Sequence, residues 1–295
     1  MKNSPFPILF ATDVGYAPHL GSALFSLLQN NKHLQIRVII FTTELPIKDR
    51  YKLQELCDRF ESPLEFIYLE DIWFDGLILN HHFKKSNYYR LFAADLINND
   101  KCLYLDADII VTSSISGITN TKLDGKYLAA VENPGFNRHK DLGMQLNSKY
   151  FNSGVMLLNL EKWRTTNLKD RVISFVKEKP EAIHFVDQCG LNGVVDGEWI
   201  ELNSKYNCQT YMLSTQLFSG CHIAQLPVVV HYTGSSKPWH LNNKHPYKKL
   251  YWHYRNQTPY KAYLPDDFSL SDVARYIAPD VAKRFVKKII GTKPK

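Results

Sequence analysis

The sequence predicts an α/β fold with one largely parallel sheet and helices on both of its faces. Two observations lead to this prediction. Short runs rich in Val, Ile and Leu read as buried strands, and they alternate with stretches in which apolar residues recur at helical spacing. The order of these segments is β-α-β-α-β-α-β through residue 111, which is typical of parallel strands joined by crossover helices.

The first half of the chain contains the clearest elements. Strands are predicted for residues 7–12, 35–43 and 64–69, and a fourth for the apolar run 102–111. Ligands of such sheets bind beyond the carboxyl ends of the strands, so Asp13 and Asp106 are expected at the ligand-binding edge. Helices are predicted from three groups of apolar positions: Leu20, Leu24, Leu27 and Leu28; Leu53, Leu56, Cys57 and Phe60; Tyr89, Phe92, Ala93 and Leu96.

The second half is less regular. Strands are predicted for residues 126–131 and 154–160, and a helix that contains Trp163 and Val176 is expected to end before Pro180. Residues 196–265 are aromatic and carry no clear assignment. We therefore predict one domain over residues 1–265 and a separate C-terminal tail over residues 266–295.

Composition and cysteine usage narrow the class of protein. The five cysteines at positions 57, 102, 189, 208 and 221 are odd in number and contain no C-x-x-C pair, which fits reduced cytosolic thiols better than disulfides or a zinc site. No segment reaches the roughly 20 apolar residues of a membrane span. The N-terminus shows no secretory pattern, and the expected location is the cytoplasm.

The basic charge is concentrated at the C-terminus. Six Lys and Arg residues within positions 281–295 account for all but one of the net charge of +7, which argues against a nucleic-acid-binding groove across the fold. Pro279 could open an amphipathic helix with Val281, Phe285 and Ile289 on its apolar side. Such a helix could pack on the body, but charges of one sign favour peripheral binding to an anionic membrane, here the inner face of the cytoplasmic membrane.

Asp106 and Asp108 stand two residues apart within the apolar run Cys102–Val111. Side chains at positions i and i+2 of a strand share a face, so both carboxylates can converge on one hard cation where the strand ends. Two solvated acids in a turn are the alternative, but unpaired acids within so apolar a run would be costly to bury. A divalent ion held here could bind a diphosphate, which points to nucleotide-dependent chemistry.

A second motif follows the apolar run Val228–Val230. His231 could complete a Mn²⁺ site begun by two carboxylates, Gly234 allows a close backbone approach, and Lys237 supplies a point charge for phosphate. A lone histidine after a strand is more often structural, but its combination with a glycine turn and a lysine favours a phosphate site.

Two further segments are weaker evidence of function when each is taken by itself. Asp187 and Gln188 stand at a predicted helix start, where Asp187 could simply be an N-cap. Asn152 lies in a small polar segment before a buried strand, which ordinary turn chemistry would also explain.

Together these segments resemble glycosyltransferase family 8, in particular the bacterial α-galactosyl- and α-glucosyltransferases that extend lipopolysaccharide cores. The resemblance covers residues 7–240. The matching motifs, in chain order, are F-A-T-D-x-G-Y, Y-Y-R-L, Y-L-D-A-D, F-N-S-G-V-M-L-L-N-L-E-K-W, D-Q-x-x-L-N and H-Y-x-G-x-x-K-P-W. It implies a GT-A fold with a single Rossmann-like mixed sheet, a UDP-glucose or UDP-galactose donor, Mn²⁺ with Mg²⁺ as the alternative, and retention of anomeric configuration.

The resemblance also implies roles for individual residues. The metal ligands would be Asp106, Asp108 and His231. The donor would be bound by the following residues: Asp13 at the uracil, Tyr16 and Gly15 near the nucleoside, Ala107 between the two aspartates, Gly234 and Lys237 at the diphosphate, and Arg90, Asn152, Asp187 and Gln188 around the sugar. Glu132 falls at an acidic position near the acceptor. Asp187 and Gln188 would be the catalytic residues.

The chain departs from the family pattern in two places: at Gly15, and after residue 240, where the match is loose and leaves the acceptor unspecified. Gly15 stands where relatives often have an asparagine that contacts the ribose, so that contact is absent or is made by the backbone. Gln188, the residue nearest the anomeric carbon by alignment, is a poor nucleophile. Same-face attack is therefore favoured over a double displacement, with the departing phosphate oxygen taking the acceptor proton.

Three other functions share part of this pattern. Asp-x-Asp after a strand also occurs in haloacid-dehalogenase-type phosphatases, but there it follows the first strand, and Ile110 stands where Thr or Val is usual. A nucleotide-sugar-binding protein with a dead site would lack an aspartate, His231 or Lys237, and all are present. A self-glucosylating, glycogenin-like transferase needs a reachable acceptor tyrosine, whereas the basic tail favours a lipid-linked glycan.

Overall fold

The computed structural model describes residues 4–79, 84–214 and 226–268, which form a seven-stranded and a three-stranded sheet surrounded by helices. In these residues the strands are β1 (Phe6–Ala11), β2 (Ile36–Thr42), β3 (Leu64–Tyr68), β4 (Lys101–Leu105), β5 (Ile109–Val111), β6 (Leu128–Glu132), β7 (Phe151–Asn159), β8 (Ile200–Glu201), β9 (Cys208–Gln209) and β10 (Val229–His231). The α-helices are α1 (Ala17–Asn30), α2 (Ile47–Asp58), α3 (Ala93–Leu96), α4 (Ser116–Thr119), α5 (His139–Leu142), α6 (Leu160–Thr165), α7 (Leu168–Glu178), α8 (Val186–Val195), α9 (Thr210–Ser214) and α10 (Lys248–Arg255).

The large sheet is mixed, as predicted. Its strand order is β3-β2-β1-β4-β7-β6-β8. The pairs β1–β2, β1–β4 and β2–β3 are parallel, whereas β7 runs antiparallel between β4 and β6. The first three strands begin and end within one residue of the predicted bounds.

Helices cover both faces of the large sheet. Successive side chains of a strand point to opposite faces, so a strand that is apolar throughout needs a packing partner on each face. Ile8 and Phe10 of β1 share one core with the buried leucines of α1 and α2. Leu9, between them, belongs to the opposite core with Trp163 of α6 and Val172 of α7. Burial on both sides explains why β1 reads as a continuous apolar run.

The predicted fourth strand, 102–111, is in fact two strands. β4 belongs to the large sheet and β5 to the small one, so the chain leaves one sheet and enters the other at residues 106–108. Asp106 and Asp108 therefore lie in a turn between sheets and do not share the face of a strand. The i, i+2 argument for their convergence was wrong in its geometry.

Other predicted elements differ at their ends. The predicted helix around Tyr89 is a 3₁₀ turn, Tyr89–Phe92, that continues into the single turn of α3. The helix predicted from Trp163 to Val176 is broken at Asn167, whose φ of 49° is left-handed, a conformation that asparagine tolerates better than most residues. The strand predicted for 154–160 begins earlier, at Phe151, so Asn152 lies in the buried strand β7 and not in a turn.

Part of the segment 196–265, which sequence patterns did not assign, belongs to the small sheet through β9 and β10. Its order is β5-β10-β9, and β10 pairs antiparallel with β5. Beyond it, Trp239 stacks on His19 of α1 with ring centroids 3.5 Å apart, which joins the loop after β10 to the main body. α10 packs against α1, so this segment is continuous with the rest of the structure.

No helix among the described residues is long and apolar enough to cross a membrane. The predicted amphipathic tail begins at residue 266, and its apolar and basic positions lie outside the described residues. The division into residues 1–265 and 266–295 stays a prediction.

Candidate active site

The candidate site lies where the carboxyl ends of β1 and β4 meet. The pairing of Phe10 with Leu105 brings the residues after both strands to the same edge of the sheet. β7 runs in the opposite direction, and its Val155 pairs with Leu105, so its first residues lie at that edge as well. Asp13, Asp106 and the start of β7 are therefore neighbours although they are distant in sequence, as expected from the general position of ligands in such sheets.

Asp106, Asp108 and His231 form a compact cluster of oxygen and nitrogen ligands. Nε2 of His231 lies 3.2 Å from Oδ1 of Asp108 and 3.6 Å from Oδ2 of Asp106. One ligand atom from each residue lies within 4.8 Å of the others. The antiparallel pairing of β10 with β5 and the hydrogen bond from Tyr232 N to Asp108 O, 3.0 Å, carry His231 to the turn that holds the aspartates.

The donor set fits a hard or borderline divalent cation. Two carboxylates and one imidazole suit Mn²⁺, and the carboxylates also suit Mg²⁺. Gly154 supplies the space, because a Cβ atom at that position would lie 2.2 Å from Cε1 of His231 and 2.5 Å from Oδ2 of Asp106. Any side chain there would push the cluster apart.

Hydrogen bonds fix the orientation of Asp106. Its Oδ1 accepts from the Tyr104 hydroxyl at 2.6 Å and lies 3.0 Å from Nη2 of Arg90. Its backbone N–H donates to Gly154 O at 2.8 Å. With Oδ1 occupied in this way, Oδ2 is the oxygen that faces His231.

Lys237 binds Asp108 directly. Its Nζ lies 2.5 Å from Oδ2 of Asp108 and donates to Tyr232 O at 2.7 Å. Burial alone would raise the pKa of Asp108, but the Lys237 ammonium and the His231 imidazole outweigh it and hold that pKa below its usual range. Asp108 is thus kept ionised, and the lysine predicted to hold phosphate rests beside a predicted metal ligand.

Arg90 bridges two carboxylates from inside the protein. Its side chain is 3% exposed, its Nε lies 3.3 Å from Oδ2 of Asp187, and its Nη1 donates to Ser153 O at 2.7 Å. Burial raises the pKa of Asp187 to about 6, although the Arg90 guanidinium opposes the shift. Asp187 lies inside the first turn of α8, whose N-cap is Phe185, so the N-cap interpretation of Asp187 was wrong.

Gln188 is held rigidly at the same edge. Its Oε1 accepts from Ser153 N at 3.0 Å and from Asn152 Nδ2 at 3.1 Å. Asn152, Asp187 and Gln188 are all buried to at least nine-tenths. The four residues predicted around the donor sugar, Arg90 among them, are therefore brought into one connected group.

The predicted nucleoside-binding residues follow β1. Oδ1 of Asp13 accepts from Gly15 N at 2.9 Å and Tyr16 N at 3.1 Å, and its Oδ2 pairs with Lys84 at 3.0 Å. The Tyr16 ring meets Trp239 edge-on, 5.7 Å between centroids, which connects this turn to the loop of Lys237.

Three predicted residues have a looser relation to the cluster. Ala107 is buried in the turn between the two aspartates. Gly234 has a φ of 89°, which favours glycine, and a Cβ there would meet nothing within 4 Å. Glu132 pairs with Lys149 at 3.3 Å, and its backbone O accepts from Gln209 Nε2, so its carboxylate is engaged within the protein.

Sequence reasoning missed several residues of the site. Tyr104 stands two residues before Asp106 in the Y-L-D-A-D motif, and that spacing could have identified it. Gly154 and Ser153 were visible only as part of a motif. Asn207, whose Oδ1 lies 2.8 Å from Nδ1 of His231, falls in the segment that carried no recognisable pattern.

A mixed sheet with two aspartates and a histidine clustered at its ligand edge is the arrangement expected of a GT-A glycosyltransferase. The sequence profile of glycosyl transferase family 8 matches residues 7–243, and the chain belongs to this family. It is 31% identical to General stress protein A of Bacillus subtilis (strain 168) over 265 residues, 85% of this chain and 93% of that protein.

Two further comparisons concern named sugar transferases. The chain is 26% identical to lipopolysaccharide 1,2-glucosyltransferase of Escherichia coli (strain K12) over 256 residues, 83% of this chain and 75% of that protein. The crystal structure of galactosyltransferase LgtC with donor and acceptor sugar analogues is similar with a TM-score of 0.79 and 25% identity, over 86% of this chain and 96% of that chain. These similarities confirm the predicted GT-A fold and the glycosyltransferase class.

The raised pKa of Asp187 makes a prediction about stability. This carboxyl has a pKa of about 6 in the folded protein and 3.8 as its ordinary value, so the folded state binds the proton more tightly than the unfolded state. The contribution of the Asp187 carboxyl to the free energy of unfolding is therefore present at low pH, and it is lost as the pH rises from about 4 to about 6. Relative to Asp187→Asn, the wild type should lose at most about 3 kcal/mol of unfolding free energy over that interval.

Urea unfolding of both proteins at pH 4, 5, 6 and 7 measures this difference. Asp100→Asn is the matched control, because the Asp100 side chain is 87% exposed and its substitution should give no comparable trend. A wild-type advantage over Asp187→Asn that stays constant or grows with pH would contradict the assignment.

Proposed function

We propose that this protein is a retaining hexosyltransferase that moves glucose or galactose from a UDP-sugar to a glycan acceptor of the lipooligosaccharide or lipopolysaccharide type. The reaction would depend on a divalent cation, Mn²⁺ or alternatively Mg²⁺. The observation that carries the proposal is the convergence of Asp106, Asp108 and His231 beside Lys237 at the ligand edge of the sheet. The names of the similar transferases support the donor and acceptor classes.

Cleavage of a sugar–diphosphate bond leaves negative charge on the departing UDP. The cation, when held by Asp106, Asp108 and His231, would supply Lewis-acid stabilisation of that charge. Lys237 would add a second positive charge, because its ammonium would leave Asp108 and bind a phosphate oxygen of the donor. The side chains of Lys237 and Asp108 are only 11% and 12% exposed, so this exchange takes place in a site that largely excludes water.

The donor sugar would lie against Arg90, Asn152, Asp187 and Gln188. Asp187 is held by Arg90, and Gln188 is an amide whose oxygen already accepts two hydrogen bonds. Neither arrangement favours a covalent sugar–enzyme bond, which requires a free carboxylate below the anomeric carbon. We therefore favour attack on the face that the leaving group vacates, with the departing phosphate oxygen accepting the acceptor's proton and the Gln188 dipole stabilising positive charge.

The nucleoside would be bound near Asp13, Gly15 and Tyr16. Lys84 holds Asp13 at present, and the side chain of Lys84 is 61% exposed, so a base could displace it at little cost.

The acceptor would approach from the side of Glu132. Membership of family 8 leaves no support for a phosphatase, and a self-glucosylating role would require transfer without any added acceptor.

A donor screen tests the proposed reaction. With Mn²⁺, UDP should be released from UDP-glucose or UDP-galactose, faster than from UDP-N-acetylglucosamine, and release should rise when lipooligosaccharide cores are added. A chelator should abolish it. Asp106→Asn and Asp108→Asn should lower the rate by at least about a hundredfold, because each removes a charged ligand while keeping its size.

Asp100→Asn serves as the control in this assay as well, since it removes an exposed aspartate outside the cluster, and it should retain the wild-type rate. Near-normal turnover of either cluster variant in the presence of chelator would refute the metal assignment. Release of phosphate from phosphomonoesters without any UDP release would refute the transferase.

Lys237→Met makes a separate prediction. The change frees Asp108 from its ammonium partner, so Mn²⁺ should bind the donor-free protein about tenfold more tightly than it binds the wild type. Turnover of the UDP-sugar should nevertheless fall, with kcat reduced more than donor affinity, because the charge that Lys237 stabilises develops during the reaction.

Free Mn²⁺ measured by electron paramagnetic resonance gives the affinity, and steady-state kinetics give the turnover. Lys205→Met, an exposed lysine on the Tyr206 ring, should change neither. Unchanged Mn²⁺ affinity together with a loss in donor affinity alone would contradict this role of Lys237.

The C-terminal tail is proposed to bind an anionic membrane surface from the cytoplasmic side. A chain that ends at residue 280 should lose co-sedimentation with vesicles rich in anionic lipid, because it lacks the six basic residues, and should still release UDP in solution. Vesicles of neutral lipid are the control. Equal binding of the full and shortened chains would refute the proposal.

A further inference from the structure

A chain of buried amides connects His231 to Gln188. Nδ1 of His231 lies 2.8 Å from Oδ1 of Asn207, and Nδ2 of Asn207 donates to Oδ1 of Asn152 at 2.8 Å. Nδ2 of Asn152 in turn donates to Oε1 of Gln188 at 3.1 Å. Asn207 is 0% exposed, so water does not compete for these bonds.

The direction of every bond in this chain follows from two backbone amides of β7. A backbone N–H only donates. Ser153 N bonds to Oε1 of Gln188 at 3.0 Å and Gly154 N bonds to Oδ1 of Asn152 at 3.0 Å, so both of these acceptor atoms are oxygens. The other end of Asn152 is therefore its NH₂ group, which donates to Gln188.

The same logic continues to the imidazole. Asn207 meets the oxygen of Asn152, so it presents its NH₂ group there and its own oxygen to His231. An amide oxygen only accepts, and Nδ1 of His231 must therefore carry the hydrogen. In the neutral ring the lone pair is then on Nε2, the atom that faces Asp108 at 3.2 Å and Asp106 at 3.6 Å.

This arrangement opposes the local preference of a cation-free cluster. Two carboxylates beside Nε2 would by themselves attract a proton to that nitrogen. The amide chain keeps a hydrogen on Nδ1 in either case, so Nε2 is the nitrogen that becomes the ligand when the ring is neutral. The tautomer is thus set from β7, on the side of the imidazole away from the aspartates.

We propose that Asn207 is a positioning residue that holds His231 in its Nδ1–H tautomer, so that Nε2 is ready to bind a divalent cation, and that through Asn152 it links this ligand to the orientation of Gln188. The assignment of the cation rests on the proposed function, but the tautomer does not. Two kinds of measurement therefore test the two parts independently.

The first experiment uses the metal-free protein labelled with ¹⁵N-histidine. Two-bond ¹H–¹⁵N correlation spectra are recorded at alkaline pH, where a free imidazole is neutral, and the His231 signals are assigned from their loss in His231→Gln. We expect the pattern of a ring protonated at Nδ1 in the wild type. In Asn207→Leu, which keeps the size but has no acceptor, the Nε2–H form should become populated. An Nε2–H ring in the wild type would overturn the proposal without reference to metal or activity.

The second experiment measures Mn²⁺ binding by electron paramagnetic resonance. Asn207→Leu should bind Mn²⁺ about ten- to a hundredfold more weakly than the wild type. Asn31→Leu is the matched control, because Asn31 is also buried and hydrogen-bonded but belongs to α1 and its loop, and its amide bonds to Leu27 O and Ile115 N. It should keep wild-type Mn²⁺ affinity.

Asn207→Asp separates the effect of the contact with His231 from the effect of the contact with Asn152. A carboxylate still accepts from Nδ1–H of His231 but cannot donate to Asn152, so Mn²⁺ affinity should be at least that of the wild type while kcat for the UDP-sugar falls at least about tenfold. Wild-type tautomer and wild-type Mn²⁺ affinity in Asn207→Leu would overturn the proposal. Loss of UDP-sugar turnover in every protein, with the tautomer as expected, would refute the proposed reaction and leave the tautomer assignment intact.

Discussion

The site depends on the balance of charge among carboxylates that lie close together at one edge of the large sheet. The side chains of Asp106, Asp108 and Asp187 are only 22%, 12% and 3% exposed, and the repulsion among their charges would be severe without partners. Arg90 is bonded to two of them and Lys237 to the third. The two cations differ in what they bind: Arg90 is also bonded to the backbone of β7 through Ser153 O, whereas Lys237 belongs to the loop after β10 and donates to Tyr232 O.

The second constraint is geometric and comes from the junction of the two sheets. The chain passes from one sheet to the other through the turn that contains Asp106 and Asp108, and β10 brings His231 to that turn by pairing with β5. β7 contributes backbone groups, since its amides and carbonyls bind Asp106, Asn152 and Gln188. Only glycine at position 154 leaves room for this meeting. The cluster is thus a property of the junction and not of any one strand.

The sequence was a good guide to the fold where hydrophobic patterns are strong. The first three strands, α1 and α2 were predicted closely because burial on both faces demands apolar runs and helical spacing. The patterns failed where a backbone changes direction within an apolar run. The segment 102–111 stays apolar across two sheets, and the helix around Asn167 keeps its apolar face while the chain breaks. Periodicity reports burial and does not report such turns.

For the site, the sequence by itself determined the inventory of chemical groups. Two aspartates, a histidine, a lysine and a glutamine stand in spaced motifs, and those motifs identified the family. Only the tertiary structure decided how the groups are oriented, because hydrogen bonds between residues distant in sequence leave no local pattern. Asn207 carries no signal in a segment that could not be assigned, yet its position beside His231 decides which nitrogen is free. The sequence thus determines which atoms are available, and the contacts of the folded chain decide which of them face the substrate.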